Sequence, residues 1–110
     1  MTTITFYRKA DGEITGFDVY DHAGYADEGT DILCAAISAL TINTINSIEE
    51  FTEDGFETEE DEANAKISLR IEEDHSEAAE LLLQSFLLGI TNMVSSGAYD
   101  DYMKLIFEEV

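Results

Sequence analysis

Proline is absent from this chain of 110 residues, and cysteine occurs once, at Cys34. With no proline, every break in regular structure must come from glycine or a polar turn. A single thiol excludes an internal disulfide framework and fits a reducing, cytoplasmic setting. Basic residues are scarce. Arg8, Lys9, Lys66, Arg70 and Lys104 stand against 25 acids, giving a net charge of -20. Nucleic acid and anionic membrane are bound mainly through cationic contacts, so neither is an expected partner. No uninterrupted apolar run has the length of a membrane span. The N-terminus has no basic patch followed by an apolar block, so no signal peptide is expected. There is no second cysteine and no histidine pair at ligand spacing, and the acidic run at 57–62 lacks the ligand alternation of a calcium loop. No metal site and no cofactor are expected.

What is present is a globular composition, 45% hydrophobic, sized for one domain over 1–110. Residues 2–8 alternate Ile4 and Phe6 with polar neighbours, which predicts a strand. Asp11-Gly12 marks a turn. A second strand covers 13–21, with Phe17 and Val19 on one face. Ile14 is out of phase with them and Gly16 sits at the slip, which predicts a bulge. Residues 23–29 have no period and are expected to form a loop. Thr30 or Asp31 should then cap a helix running to about Ile48. Its core stripe is Leu33, Ile37, Leu40, Thr44 and Ile48, and it is apolar nearly all round, which predicts burial.

Nine of the fourteen residues from Glu49 to Glu62 are acidic. A strand at about 49–57 and an acidic turn at 58–62 are expected there. A clean alternating strand follows at 64–71, with Lys66 and Arg70 facing the acids of its neighbour. Asp74-His-Ser-Glu77 has the form of a capping box, opening a second helix to about Ser96 with Gly97 behind it. Its core stripe is Ala79, Leu82, Phe86, Ile90 and Met93. Leu81 and Leu88 fall on the wet face, weak evidence for a dimer surface. A last strand covers 102–109. The order ββαββα plus a C-terminal strand predicts a two-layer α+β domain, with a mostly antiparallel sheet and two helices packed on it.

The chemistry concentrates at residues 22–38. Cys34 is expected in the first turn of the first helix, where backbone N–H groups and the dipole favour a thiolate. His22 ends the preceding strand and is placed to take the thiol proton. The N–H groups around Cys34 are candidates for an oxyanion hole. Asp31 and Ser38 share its helical stripe, one turn either side. Simpler roles exist for each: a small buried thiol, a plain N-cap, a hydroxyl bonded to the preceding turn. His75, in the capping box, is expected at the surface.

The run His22-Ala23, five loop residues, then Gly29-x-Asp31-Ile32-x-Cys34-Ala35-Ala36-x-Ser38-Ala39-Leu40 closely resembles the signature of the Prp family, bacterial ribosomal-processing cysteine proteases. The resemblance extends to the element order and the chain length. It implies His22 as the catalytic histidine and Cys34 as the nucleophile. Asp31 and Ser38 match the family's other polar positions, as orienting or substrate-binding groups. The segment holding Gly24, Tyr25 and Gly29 matches a flexible loop. It further implies a homodimer that removes the N-terminal extension of the large-subunit ribosomal protein numbered twenty-seven, cutting after an aromatic pair. The chain departs from the pattern at Asp21, where the family has glycine, and this puts a carboxylate beside His22. The acidity suits a basic ribosomal protein precursor as substrate. The alternative from another class is a non-catalytic acidic binding module, a ribosome-assembly adaptor that holds a basic protein without cutting it.

Overall fold

The computed structural model describes residues 1–21 and 28–110, with the backbone alone at 21 and 28–31. Among them the order is β1 (Thr2–Arg8), β2 (Ile14–Asp21), α1 (Glu28–Phe51), β3 (Phe56–Asp61), β4 (Lys66–Ile71), α2 (Glu77–Ser95) and β5 (Met103–Glu109). The five strands form one sheet in the order β3-β4-β2-β1-β5. Three neighbouring pairs are antiparallel, and β5 runs parallel to β1. Both helices lie on one face. Ile4, Phe6, Phe17, Leu69 and Met103 from the sheet share one core with Leu33, Ile37 and Ile48 of α1 and Leu83, Phe86 and Ile90 of α2. This is the expected two-layer α+β domain.

The expected bulge is there and explains Ile14. Tyr7 pairs with Gly16 but Arg8 pairs with Ile14, so Thr15 is the extra residue. The bulge turns Ile14 back into the core, where it is fully buried. Gly16 lies under the Arg70 side chain. A Cβ there would stand 2.4 Å from the Leu69 carbonyl oxygen and 2.8 Å from Arg70 Cδ. Only glycine lets Arg70 cross β2 to stack on the Tyr7 ring, 4.1 Å from its centroid, and reach Asp18 at 3.0 Å.

Several expectations need correction. The helix α1 begins at Glu28, two to three residues before Thr30 and Asp31, so neither caps it and Gly29 belongs to its first turn. It also runs on to Phe51, whose side chain is exposed, so the strand expected at 49–57 starts only at Phe56. Thr52 closes the helix by bonding the Ile48 carbonyl through both its N–H (3.1 Å) and its hydroxyl (2.7 Å). The helix α1 is buried on one face only. Its opposite side exposes Ile32, Ala35, Ala36, Ala39 and Ile42. Ile32–Phe51 and α2 are in fact long and apolar enough to cross a membrane, by length and composition alone. Threonine, serine and asparagine punctuate α1 without charging it, which hid this from a reading of apolar runs. Each helix buries a stripe against the sheet, as core helices of globular domains do.

At α2 the cap is Ser76, not Asp74. Asp74 has φ 61°, a left-handed turn conformation, whereas Ser76 is extended and accepts from the Ala79 N–H at 3.1 Å. Asp54 locks this cap by accepting from both the N–H and the hydroxyl of Ser76. Gly97, at φ 73°, follows the C-cap Ser96 as expected. Strand register puts Glu57 opposite Arg70 and Asp61 opposite Lys66. Yet the carboxylate that Arg70 bonds is Asp18, on its other neighbour.

His75 is not a surface side chain. It is fully covered, with Nε2 2.7 Å from Glu80 Oε1 and Nδ1 2.9 Å from the Glu72 carbonyl oxygen. Burial pushes its pKa down, but the bonds to Glu80 and Glu72 and the charge of Glu13 outweigh this and leave it raised.

Candidate active site

The site is assembled at the end of the sheet where β1 starts and β2 stops. Thr2 opens β1, pairs with Asp21 of β2 and with Met103 of β5, and donates its N–H to the Tyr102 carbonyl at 2.7 Å. It is in phase with Ile4 and Phe6, so its side chain points under the helices, where it is buried. There its hydroxyl lies 3.8 Å from Cys34 Sγ. Sequence reasoning missed Thr2. The available signal was a hydroxyl on the buried phase of a strand, which must find a polar partner inside.

Cys34 is half-buried and is the seventh residue of α1, at the end of its second turn. That corrects two expectations. The macrodipole acts within the first turn, so Cys34 lies beyond its strongest effect. The unpaired N–H groups of a helix are its first four, here Glu28 to Asp31, so those around Cys34 are engaged in the helix and do not form an oxyanion hole. Asp31 and Ser38 remain one turn before and one turn after Cys34 on α1.

A cleft of about 200 Å³ opens at the thiol. Ile37 and Val19 form its apolar floor, and Ser38 is exposed at its edge. The far wall is the β3–β4 hairpin, with Glu60, Asp61 and Glu62 on one arm and Ala65 to Ile67 on the other. The hairpin turn is tied by Asp61, which accepts from the Asn64 side-chain amide at 2.7 Å and from its N–H at 3.2 Å. These bonds hold the Asp61 carboxyl below the usual carboxylate range. Ala65 at φ 50° completes the tight turn. Three carboxylates against the single Lys66 make this wall electronegative.

The structure therefore brings Cys34 and Ser38 to one cleft. Asp21, Gly29 and Asp31 are placed by their backbone alone, Asp21 opposite Thr2 and the other two in the first turn of α1. His22, Gly24 and Tyr25 lie outside the described residues.

The family model for the cysteine protease Prp matches residues 1–104. This chain belongs to the Prp cysteine protease family. A Staphylococcus aureus protein named ribosomal processing cysteine protease Prp is 23% identical over 108 residues, covering 98% of this chain and 100% of its own length. The fold agrees with solved structures. One is the S. aureus Prp protease in complex with a substrate peptide, at TM-score 0.88 and 22% identity over 98% of this chain and all of that one. Another is the same protease with a covalently linked product peptide, at TM-score 0.86 and 23% identity over the same shares.

Proposed function

We propose that this protein is an endopeptidase in which Cys34 is the nucleophile and His22 its general base and acid. The observation that carries this is the placement of Cys34. A cysteine protease needs a thiol, this chain has one, and it lines a cleft with an apolar floor. The thiol gives its proton to His22 and Sγ bonds to the scissile carbonyl carbon. The C–N bond then breaks as the leaving amine takes that proton. Water attacks the thioester and frees the carboxylate product and the thiol. Support for the role of His22 comes from its neighbour. Asp21 ends β2 directly opposite Thr2, and Thr2 contacts Cys34. The S. aureus relative with a covalently linked product is consistent with an acyl-enzyme route.

The proposed substrate is the N-terminal extension of the large-subunit ribosomal protein numbered twenty-seven, removed during ribosome maturation in the cytoplasm by a homodimer. Ribosomal proteins are cationic, and the wall formed by Glu60, Asp61 and Glu62 favours a cationic chain beside the thiol. A peptide spanning the precursor's N-terminus, incubated with the protein and followed by mass spectrometry, should be cut once after the aromatic pair. No cleavage by the wild-type chain, or equal cleavage by Cys34→Ala, overturns the proposal.

A further inference from the structure

At the far end of β1 from Thr2, three parts of the chain close on His75, which lies in the β4–α2 connection. Glu13 reaches it from the β1–β2 turn, Asp54 from the α1–β3 connection and Glu80 from the first turn of α2. The His75 side chain is fully covered. Its Nε2 is 2.7 Å from Glu80 Oε1. Its Nδ1 is 2.9 Å from the Glu72 carbonyl oxygen and 3.3 Å from Glu13 Oε1. The Asp54 carboxyl is held below its ordinary value chiefly by its bonds from Ser76, and the His75 charge lowers it further. Lys9 Nζ stands 3.8 Å from the other Glu13 oxygen.

We infer that His75 is an imidazolium that latches the β1–β2 turn to the start of α2, and that this latch opens when rising pH removes its proton. The atoms bonded to the two ring nitrogens are acceptors on both sides. A neutral imidazole has one N–H and one lone pair. With the proton on Nδ1, the Nε2 lone pair would face a Glu80 oxygen at 2.7 Å. With the proton on Nε2, the Nδ1 lone pair would face the Glu72 carbonyl and Glu13. Only the doubly protonated ring satisfies both sides. Glu80 is the ionised partner, because its carboxylate also accepts from the Ile14 N–H at 3.2 Å and from the Gln84 amide at 2.7 Å. Burial opposes a charge on the ring, but the bonds to Glu80 and Glu72 and the charge of Glu13 outweigh it and raise the pKa. The sign follows. A raised folded pKa gives stability that is fully present below the unfolded value, about 6.5, and is lost as pH rises through the folded one. Deprotonation leaves a covered lone pair against an oxygen, so the Glu80 or Glu13 carboxylate must withdraw from the ring.

The test uses the full chain with His22→Ala, in which His75 is the sole histidine. Its ring nitrogens are followed by nitrogen-15 NMR as pH is raised. Both should be protonated at neutral pH, and the ring should titrate above 6.5. Glu80→Gln in the same chain keeps an acceptor at this position but removes the charge, and should move the midpoint down. Urea denaturation of the natural chain and of His75→Gln then reads the latch itself. The lead of the natural chain should narrow from pH 6 to pH 9, while net repulsion acts on both alike. A ring with one protonated nitrogen at neutral pH, a midpoint at or below 6.5, or a midpoint unmoved by Glu80→Gln overturns the latch. Parallel stability profiles for the natural chain and His75→Gln overturn it too. The NMR titration needs no substitution at His75, so it decides the matter even where His75→Gln fails to fold.

Discussion

At one end of the β1–β2 hairpin, Thr2 and Asp21 sit opposite each other and Cys34 rests against Thr2. At the other end, Ile14 donates to Glu80, which also holds His75 and Gln84. The same two strands therefore deliver both clusters, but the clusters differ in what surrounds them. Around His75 the polar groups saturate one another, and its side chain is fully covered. Around Cys34 the acids of the β3–β4 hairpin stand across an open cleft rather than against the thiol. A closed polar network ties elements together, whereas an open one leaves room for a substrate. Damage at the two ends should then separate, with activity lost at one and stability at the other.

The largest effect expected is at the cleft. Cys34→Ala should lower peptide cleavage by roughly 10⁴-fold or more while the melting curve barely moves, because the change is small and the position half-buried. His22→Ala should act in the same direction. Steady-state kinetics beside thermal denaturation checks both. A large stability loss in Cys34→Ala would assign the thiol to the core instead.

Two substitutions away from the cleft should do the reverse. Gly16→Ala forces a methyl group against the Leu69 carbonyl and should cost about 3 kcal/mol in urea denaturation. Glu80→Ala strips the Ile14 N–H, His75 and Gln84 of their shared acceptor and should cost about 2 kcal/mol. Cleavage per folded molecule should stay near wild type in both. If Glu80→Ala abolished cleavage without unfolding the chain, the two ends would be coupled.

These effects show what a sequence can carry. The alternation of Ile4 and Phe6, and of Ile67 and Leu69, with polar neighbours announced the sheet, because period two is local. Gly16 beside the misphased Ile14 announced the bulge for the same reason. Helix ends were less legible. Thr30 and Asp31 are good cap types, but α1 continues past them to Glu28. Asp74 and Ser76 are both cap types too, and only backbone conformation chooses between them. Phe51 and Phe56 look alike within an acidic run, although one ends a helix and the other starts a strand. Contacts across the fold were the least legible. Thr2 meets Cys34 over 32 positions and Ile14 meets Glu80 over 66, and neither leaves a local pattern. The thiol stood out as the single cysteine, and the signature from His22 to Leu40 sharpened its role, whereas the threonine beside it left no such mark.

The open face of the sheet offers a smaller test, through pH. Burial alone would raise the Asp18 carboxyl, but bonds from Tyr7, Arg70 and Ser68 outweigh it and hold it below its ordinary value. The same contact with Asp18 raises the Tyr7 hydroxyl. A depressed carboxyl contributes stability that is present above its unfolded pKa, about 3.9, and is lost as pH falls through the folded value. Asp18→Asn should therefore cost about 1 kcal/mol at neutral pH and flatten the acid side of the stability profile. Denaturant midpoints between pH 2 and pH 7 check this. Parallel profiles for the two proteins would remove Asp18 from the account.

The smallest effect expected is at Thr2, and it tests the cleft most finely. Thr2→Val keeps the buried shape and removes the hydroxyl 3.8 Å from Sγ. A single neutral hydrogen bond is worth about 0.5–1 kcal/mol, which is roughly a two- to fivefold change in rate. If the hydroxyl positions the thiol, kcat/KM should fall by about that factor with KM unchanged. Iodoacetamide should then label Cys34 with an altered pH profile, and Thr2→Ser should restore both. If Thr2 only fills space, Thr2→Val should be silent in the kinetics and Thr2→Ser, which leaves a methyl-sized gap, should be the less stable of the two.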